Sequence, residues 1–525
     1  MTARLTLFLF SALLAGTAGA VASDKTNVVR DLAGRVGPIV GSASACRDIA
    51  RPRIQVITDK FAAVIKEAAT NEAERSDLTQ SFDRSVAEGR SAVTTGRTDC
   101  RSADRQLADL ERSIGGTGPS LAAVIAPSSA AAATSAAAAT APTAAVPVVS
   151  GPAVRGVTDQ EIRFGIAAPF SGSAKELGRQ MKLGIDAAFN RVNEAGGVEG
   201  RMLKLIAADD GYEPARTIDA MKQLYEKDQV FGIVGNVGTP TAVVAVPYAL
   251  ERKMLFFGAF TGANVLRHDP PDRYVFNYRA SYAEETDAVV RYLVKLRRVP
   301  IRQIAVFAQQ DTYGDAGFAG VSKAVRALGV SDAAIVRLNY KRNTVDVDDA
   351  INQLKLQKPP IKAVVMVATY RAAAKFIEKT HDLFPGMLYT NVSFVGSTAL
   401  ADELMLLGPR YASGVIVTQV VPAVSGYSSI VLEYKNALAK FFPGEAPDYV
   451  SLEGYVAANV LIQGLRRTGP QLDTEKLIDV LENTRNFDLG LGANLGFGRA
   501  EHQASHKIWG TALDDNGKYQ AIELE

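Results

Sequence analysis

The stretch VFGIVGNVGTPTAVVAVP, Val230 to Pro247, is the part of this sequence best equipped to hold a small guest. An apolar run, Val230 to Val234, gives way to Gly235, Asn236 and Gly238, and then Thr239, Pro240 and Thr241 stand where a helix would start. Backbone N–H groups at a helix start attract an anion and threonine hydroxyls add donors, so phosphate, pyrophosphate and carboxylate are the candidate guests. Phosphate loses ground on spacing. The loops PFSGSAKELG and GNVGTPT lack the G-x-G-x-x-G pattern of a dinucleotide site, and G-x-x-x-x-G-K-[ST] is missing. Carboxylate remains, because two or three donors suffice for it.

Groupings that would do covalent or metal chemistry are missing: there is no H-E-x-x-H, no C-x-x-C and no hydrolase elbow. His502 and His506 in EHQASH are four apart and would share a helical face, which makes a metal pair conceivable, but flanking Gly and Arg read as a connecting segment. The lone Trp509 reads as packing. Asp209 to Pro214, DDGYEP, has the look of an acid pair but reads more simply as a turn with a helix cap at a strand end. No nucleophile has a base beside it. These residues favour no enzyme, no cofactor and no metal, and leave open what the chain does instead.

Several folding units must position these residues, because 525 residues exceed one core and suggest about three or four. Lys plus Arg (58) nearly balances Asp plus Glu (56) without segregation, which argues against a nucleic-acid partner. Residues 1–22 have the three-part form of a cleaved export signal: Arg4, an apolar stretch from Leu5 to Leu14, and small residues near Ala20. The apolar run is shorter than a bilayer span, and no Cys lies near the cleavage site to carry a lipid anchor. Export makes a disulfide the expected state of the only two cysteines, Cys46 and Cys100.

Across 24–115 apolar residues recur at helical spacing, Ile54, Ile57, Phe61, Val64 and Ile65 and then Leu78, Phe82 and Val86, with NEAERSD between the two runs. The reading is a helical hairpin whose far ends the disulfide would tie. It distantly resembles a small bacterial helical domain, which implies no activity. Residues 116–156 are dominated by Ala, Ser, Thr, Pro and Gly and read as a tether. From Glu161 strands and helices alternate, IRFGIAAPF, MKLGIDAAFNRVNEAGG, RMLKLIAADD, TIDAMKQLYEKDQ, VFGIVG, and the rhythm restarts at QIAVFAQQD. That is α/β architecture with parallel sheets in two lobes.

The blocks GIAAPFSG, AAFNRVNEAGGVEGRMLKLIAADDGYEPA, VFGIVGNVGTPT, FTGAN, DTYGDAG and SLEGYVAANVLIQGLRRTG, in this order, resemble the leucine/isoleucine/valine-binding family of type I periplasmic binding proteins. The resemblance covers about 157–525. It implies two Rossmann-like lobes, about 161–280 with 422–495 and about 281–421 with 496–525, joined by three crossing segments, with ligand in the cleft between them. Cleft residues carried over from it are Gly238, Thr239 and Thr241; Ala259, Thr261 and Gly262; Tyr313; Thr369 and Tyr370. Family members that hold amino acids place an acidic residue after a strand like FVG, whereas this chain has Ser397 and Thr398 there. A buried ammonium without a counter-charge is costly, so hydroxyl groups there suit an amide or another small carboxylate as well as a branched-chain amino acid.

The resemblance implies a periplasmic solute-binding protein that delivers to the permease subunits of an ABC importer. The alternative is a periplasmic sensor that signals to a membrane receptor through the helical hairpin, whose partner the sequence does not name.

Overall fold

The computed structural model describes residues 22–46, 48–69, 71–95, 98–114 and 154–524, so nearly all of the expected export signal and tether lies outside the described residues. The chain divides into two compact units, Met1–Ala144 and Ala145–Glu525.

Among the described residues the first unit is helical, and they form four helices where the sequence reading has a hairpin of two: α1 (Ala22–Ala45), α2 (Arg51–Ala68), α3 (Glu72–Thr94) and α4 (Cys100–Ile114). NEAERSD does separate two helices, with Asn71 Oδ1 capping α3 by accepting from Glu74 N at 2.9 Å. Of the two unforeseen helices, α1 has glycines and Pro38 interrupting its buried Val29, Val36 and Val40, and α4 buries Ala103 and Leu107. Glycine lets α1 and α3 touch backbone to backbone: a Cβ on Gly41 would fall 2.0 Å from Val86 O. The disulfide Cys46–Cys100 is present, and it links the residue after α1 to the first residue of α4. It thus ties two helices that the hairpin reading did not contain.

The second unit contains two sheets. The first is built from β1 (Glu161–Ala168), β2 (Met202–Asp209), β3 (Gly232–Val234), β4 (Leu255–Phe257) and β5 (Val275–Phe276), in spatial order β2-β1-β3-β4-β5 and parallel throughout. Between its strands run α5 (Lys175–Glu194), α6 (Pro214–Lys222) and α7 (Thr239–Glu251). The chain then passes through α8 (Tyr282–Arg291) into the second sheet. This has β6 (Ile304–Gln309), β7 (Val336–Tyr340), β8 (Ala363–Val367), β9 (Leu388–Asn391) and β10 (Ile416–Gln419), with α9 (Thr312–Ala327), α10 (Asp348–Lys355), α11 (Tyr370–Thr380) and α12 (Ser397–Leu407). Helices α13 (Ser429–Phe441), α14 (Tyr449–Thr468) and α15 (Thr474–Glu482) return to the first lobe, where α14 packs on α5 closely enough that a Cβ on Gly184 would meet Ser451 O at 1.8 Å. The chain ends with β11 (Trp509–Leu513) and β12 (Tyr519–Ile522) in the second sheet, order β12-β11-β10-β9-β8-β6-β7.

The inner strands are covered by helices on both faces, β6 and β8 being buried at every residue, whereas the edge strands β2, β7 and β12 carry partly exposed residues. The parallel rule fails only at the C-terminal edge, where β10, β11 and β12 pair antiparallel. Three crossing segments connect the lobes and are laced together: Asn277 N donates to His502 O at 2.7 Å, Ala504 N to Asn277 O at 2.8 Å, and Tyr278 OH to Val420 O at 2.8 Å. In open α/β sheets the binding crevice lies at the carboxyl ends of the strands, which here face each other across these crossings.

Candidate functional site

The loop that leaves β3 runs straight into α7, and Gly238 makes the turn with φ 109°, a backbone conformation that side chains disfavour. A Cβ there would lie 2.3 Å from Cε2 of Tyr212, so the glycine also makes room for that ring. Thr239, the first helical residue, meets Thr261 from the loop after β4, their hydroxyl oxygens 2.7 Å apart. Both threonines are fully buried. One proton serves that bond and the other hydroxyl keeps a proton to donate, beside the first-turn N–H groups of α7, which have no intrahelical partner. Thr261 N is held by Ala259 O at 2.9 Å, and Gly262 allows the close approach of Tyr282, whose N–H donates to Gly262 O at 2.8 Å.

Aromatic rings close over this pair. Phe394 of the second lobe stacks on Phe260 of the first at 5.0 Å and lies 6.1 Å from Tyr212, also of the first. Tyr313, at the start of α9, lies 4.6 Å from Phe394 and 5.4 Å from Tyr282. The Tyr313 hydroxyl is buried and makes no hydrogen bond, while the buried Tyr282 hydroxyl stands against the Thr239 and Thr261 hydroxyls. Burial pushes the Tyr282 phenol up to about 12 and the Tyr313 phenol well above its ordinary range, so both stay protonated donors.

Of the residues expected at the site, Gly238, Thr239, Ala259, Thr261, Gly262 and Tyr313 converge here. Others point elsewhere. The Thr241 hydroxyl turns back to donate to Val237 O (2.6 Å) and Gly238 O (3.0 Å). Ser397 exchanges hydrogen bonds with the Gln419 amide inside the second lobe, and its carbonyl accepts from Tyr519 OH. Thr369 N donates to Tyr340 OH, which donates to Gln309 Oε1, while Gln309 Nε2 donates to Tyr212 OH at 3.2 Å across the cleft. Tyr370 and Thr398 line a cavity of about 300 Å³ with Glu176, Arg179, Asp402 and Asp448. Thr398 reaches the Asp448 carboxyl, which burial raises above its ordinary value.

Residues that periodicity and spacing did not reveal complete the site. Tyr212 comes from DDGYEP: Asp210 accepts from Tyr212 N and from Thr217 Oγ1, holding the tyrosine at φ 62°, and burial pushes Asp210 up to about 6. Tyr282 follows Ser281, whose capping box with Glu284 is legible as S-x-x-E. Behind the rings lies Arg279, wholly buried on a crossing segment, its guanidinium 5.2 Å from the Phe260 centroid. It donates to Glu285 Oε1 at 2.7 Å and to Ser393 Oγ, and its Nη1 lies 3.4 Å from Glu453 Oε1. Burial opposes its charge, but Glu453 and Glu285 hold it above its ordinary value, and burial in turn raises Glu453 to about 7.

A clasp spans the rim. Arg342 Nη2 reaches Glu213 Oε2 at 2.9 Å and Asn343 Nδ2 reaches Glu213 Oε1 at 2.6 Å, while Ser173 donates to Asn343 Oδ1 at 3.1 Å. The two histidines of EHQASH do not pair on one face: His502 stacks on Phe276 at 3.9 Å, and His506 bonds Glu284 at 2.6 Å. Among the described residues no group of three or more metal-ligating side chains gathers, and no helix is long and apolar enough to cross a membrane.

Two α/β lobes with a buried hydroxyl pair at the helix start between them define a bilobal binding protein. Residues 161–518 match the periplasmic binding protein family, and the chain belongs to it. It is similar to a possible leucine/isoleucine/valine-binding protein from Rhodopirellula baltica of known structure, at 39% identity and TM-score 0.66 over 71% of this chain and 99% of that one. It is 24% identical over 339 residues to the Leu/Ile/Val-binding protein homolog 3 of Brucella melitensis, covering 63% of this chain and 86% of the relative. The fold also matches a branched-chain amino acid ABC transporter protein from Thermus thermophilus with bound valine, at 16% identity and TM-score 0.60 over 69% and 95% of the two chains. The family is one of substrate-binding proteins.

Proposed function

We propose that this protein is the solute-binding component of an ABC importer, exported to the periplasm, and that it holds a small carboxylate- or amide-bearing solute between its lobes. The observation that carries the reading is the Thr239–Thr261 hydroxyl pair at the start of α7, buried beneath rings supplied by both lobes. Such a solute would touch both lobes only when they are closed, and that differential contact shifts the population toward the closed form. The names of the relatives support branched-chain amino acids as one candidate class. Titration calorimetry against a panel of small acids, amides and amino acids tests the reading. Binding that Thr239→Ala weakens supports it; binding indifferent to that change places the solute elsewhere. The division of the chain into two compact units favours one second reading, in which the helical unit passes ligand occupancy to a membrane receptor. Deleting residues 24–115 would then abolish a signalling response and leave uptake intact.

A further inference from the structure

We propose that the guest is an aromatic carboxylic acid without an α-amine, its ring between Phe260 and Phe394 and its carboxylate on Thr239 and Thr261. This rests on the reading that a solute is held in this cleft. Phe260 belongs to the first lobe and Phe394 to the second, and their rings stack at 5.0 Å and 28°. Opening the lobes parts Phe260 and Tyr212 from Phe394 and Tyr313 and leaves facing aromatic walls. A planar ring that enters between the two phenylalanines makes two stacks where closure without it makes one, while an aliphatic chain makes none. Each stack is worth roughly two- to tenfold in affinity beyond the area it buries. The buried, unpartnered hydroxyl of Tyr313 suits a second polar substituent, such as a phenolic hydroxyl on the guest.

The carboxylates around these rings are already engaged by protein partners. Asp210 accepts from Tyr212 N and Thr217 Oγ1, and three more stand on the other sides, Glu285, Asp311 and Glu453. Glu285 accepts from Arg279 Nη2, Ser393 N, Ser393 Oγ and Thr418 Oγ1, which uses all four of its lone-pair directions. Asp311 accepts from Tyr313 N, Gln309 Nε2 and Arg342 Nη1. Glu453 faces Arg279. Ser397, in the sequence position where an acidic residue would be expected, is turned into the second lobe. An ammonium in the cleft would be desolvated without a counter-charge.

The test is calorimetry on the full chain with five probes: 4-hydroxybenzoate, benzoate, L-phenylalanine, L-leucine and 2-hydroxy-4-methylpentanoate. The expected result is that 4-hydroxybenzoate binds at least tenfold tighter than either amino acid. Phe394→Leu, which loses the ring of a buried side chain, should weaken it about fivefold or more in a variant that still unfolds cooperatively at a somewhat lower temperature, and Phe394→Tyr should retain it. The proposal is overturned if an amino acid or the aliphatic hydroxy acid binds as tightly as 4-hydroxybenzoate, and the solute-binding reading then stands. It is also overturned if Phe394→Leu folds and binds like wild type. Failure of all five probes overturns both the proposal and the small-carboxylate reading beneath it.

Discussion

At pH 8 the variant Glu453→Gln should be more stable than wild type, and at pH 5 it should not. Glu453 is buried beside Arg279, and burial raises its pKa from 4.5 to about 7 against the pull of the guanidinium. A carboxyl whose pKa is raised by folding stabilises the fold while protonated. That contribution is complete below about pH 4.5 and is lost as pH rises through about 7. The difference corresponds to about 3 kcal/mol at roughly 1.4 kcal/mol per pH unit. For a unit of this size the unfolding entropy is about 0.8 kcal/mol per kelvin, so the midpoint should differ by about 4 °C. Asp210, raised to about 6, lowers stability over an overlapping window, and Glu284, lowered to about 2, acts only as pH falls toward that value. Both are common to the two proteins, so the difference between them isolates Glu453. The assay is thermal or urea unfolding of each at pH 5, 6, 7 and 8. A difference that stays constant across that range, or a variant less stable at pH 8, would refute the reasoning.

Reducing the Cys46–Cys100 bridge, whose cysteines are 54 residues apart, should destabilise the helical unit by about 4 kcal/mol on loop-closure entropy and leave the lobes unchanged, seen as a shift in only one of two unfolding transitions. Gly238→Ala should abolish solute binding and destabilise the lobes by about 1–3 kcal/mol, because the new Cβ meets the Tyr212 ring at φ 109°; calorimetry and thermal unfolding check it. Arg342→Ala removes half of a partly exposed clasp and should change stability by under about 1 kcal/mol, while solute release becomes a few-fold faster in stopped-flow measurement.

The two lobes were legible in the sequence because each βα alternation has its own period, and the opening loop was legible because glycine and threonine at a helix start have few other uses. Thr239 is legible that way, whereas Thr261 and Tyr313 come only with the family resemblance. Thr241 and Ser397 were misplaced because a hydroxyl's direction depends on local competition: Thr241 is within reach of the carbonyls of its own turn, and Ser397 finds Gln419. Phe394, Phe260 and Tyr212 could not be read, since a ring in an apolar stretch looks the same whether it faces a core or a cleft. Arg279 and Glu453 are 174 residues apart in sequence and meet only through the crossing segments. The helical unit was underread because Gly34, Gly37, Pro38 and Gly41 interrupt the apolar series Val29, Val36 and Val40 of α1.

The account stands or falls on the hydroxyl pair. The double variant Thr239→Val/Thr261→Val replaces both partners of one buried hydrogen bond with groups of similar shape and also takes the Thr261 Oγ1 acceptor from Ala263 N, which costs about 1–3 kcal/mol of stability. Calorimetry with whichever solute binds wild type most tightly measures what is lost. If the pair receives a carboxylate, affinity should fall by about 10- to 150-fold, the equivalent of about 1.5–3 kcal/mol, in a variant that remains folded at the temperature of the titration. An affinity equal to that of wild type in the folded double variant would contradict the placement of the solute in this cleft.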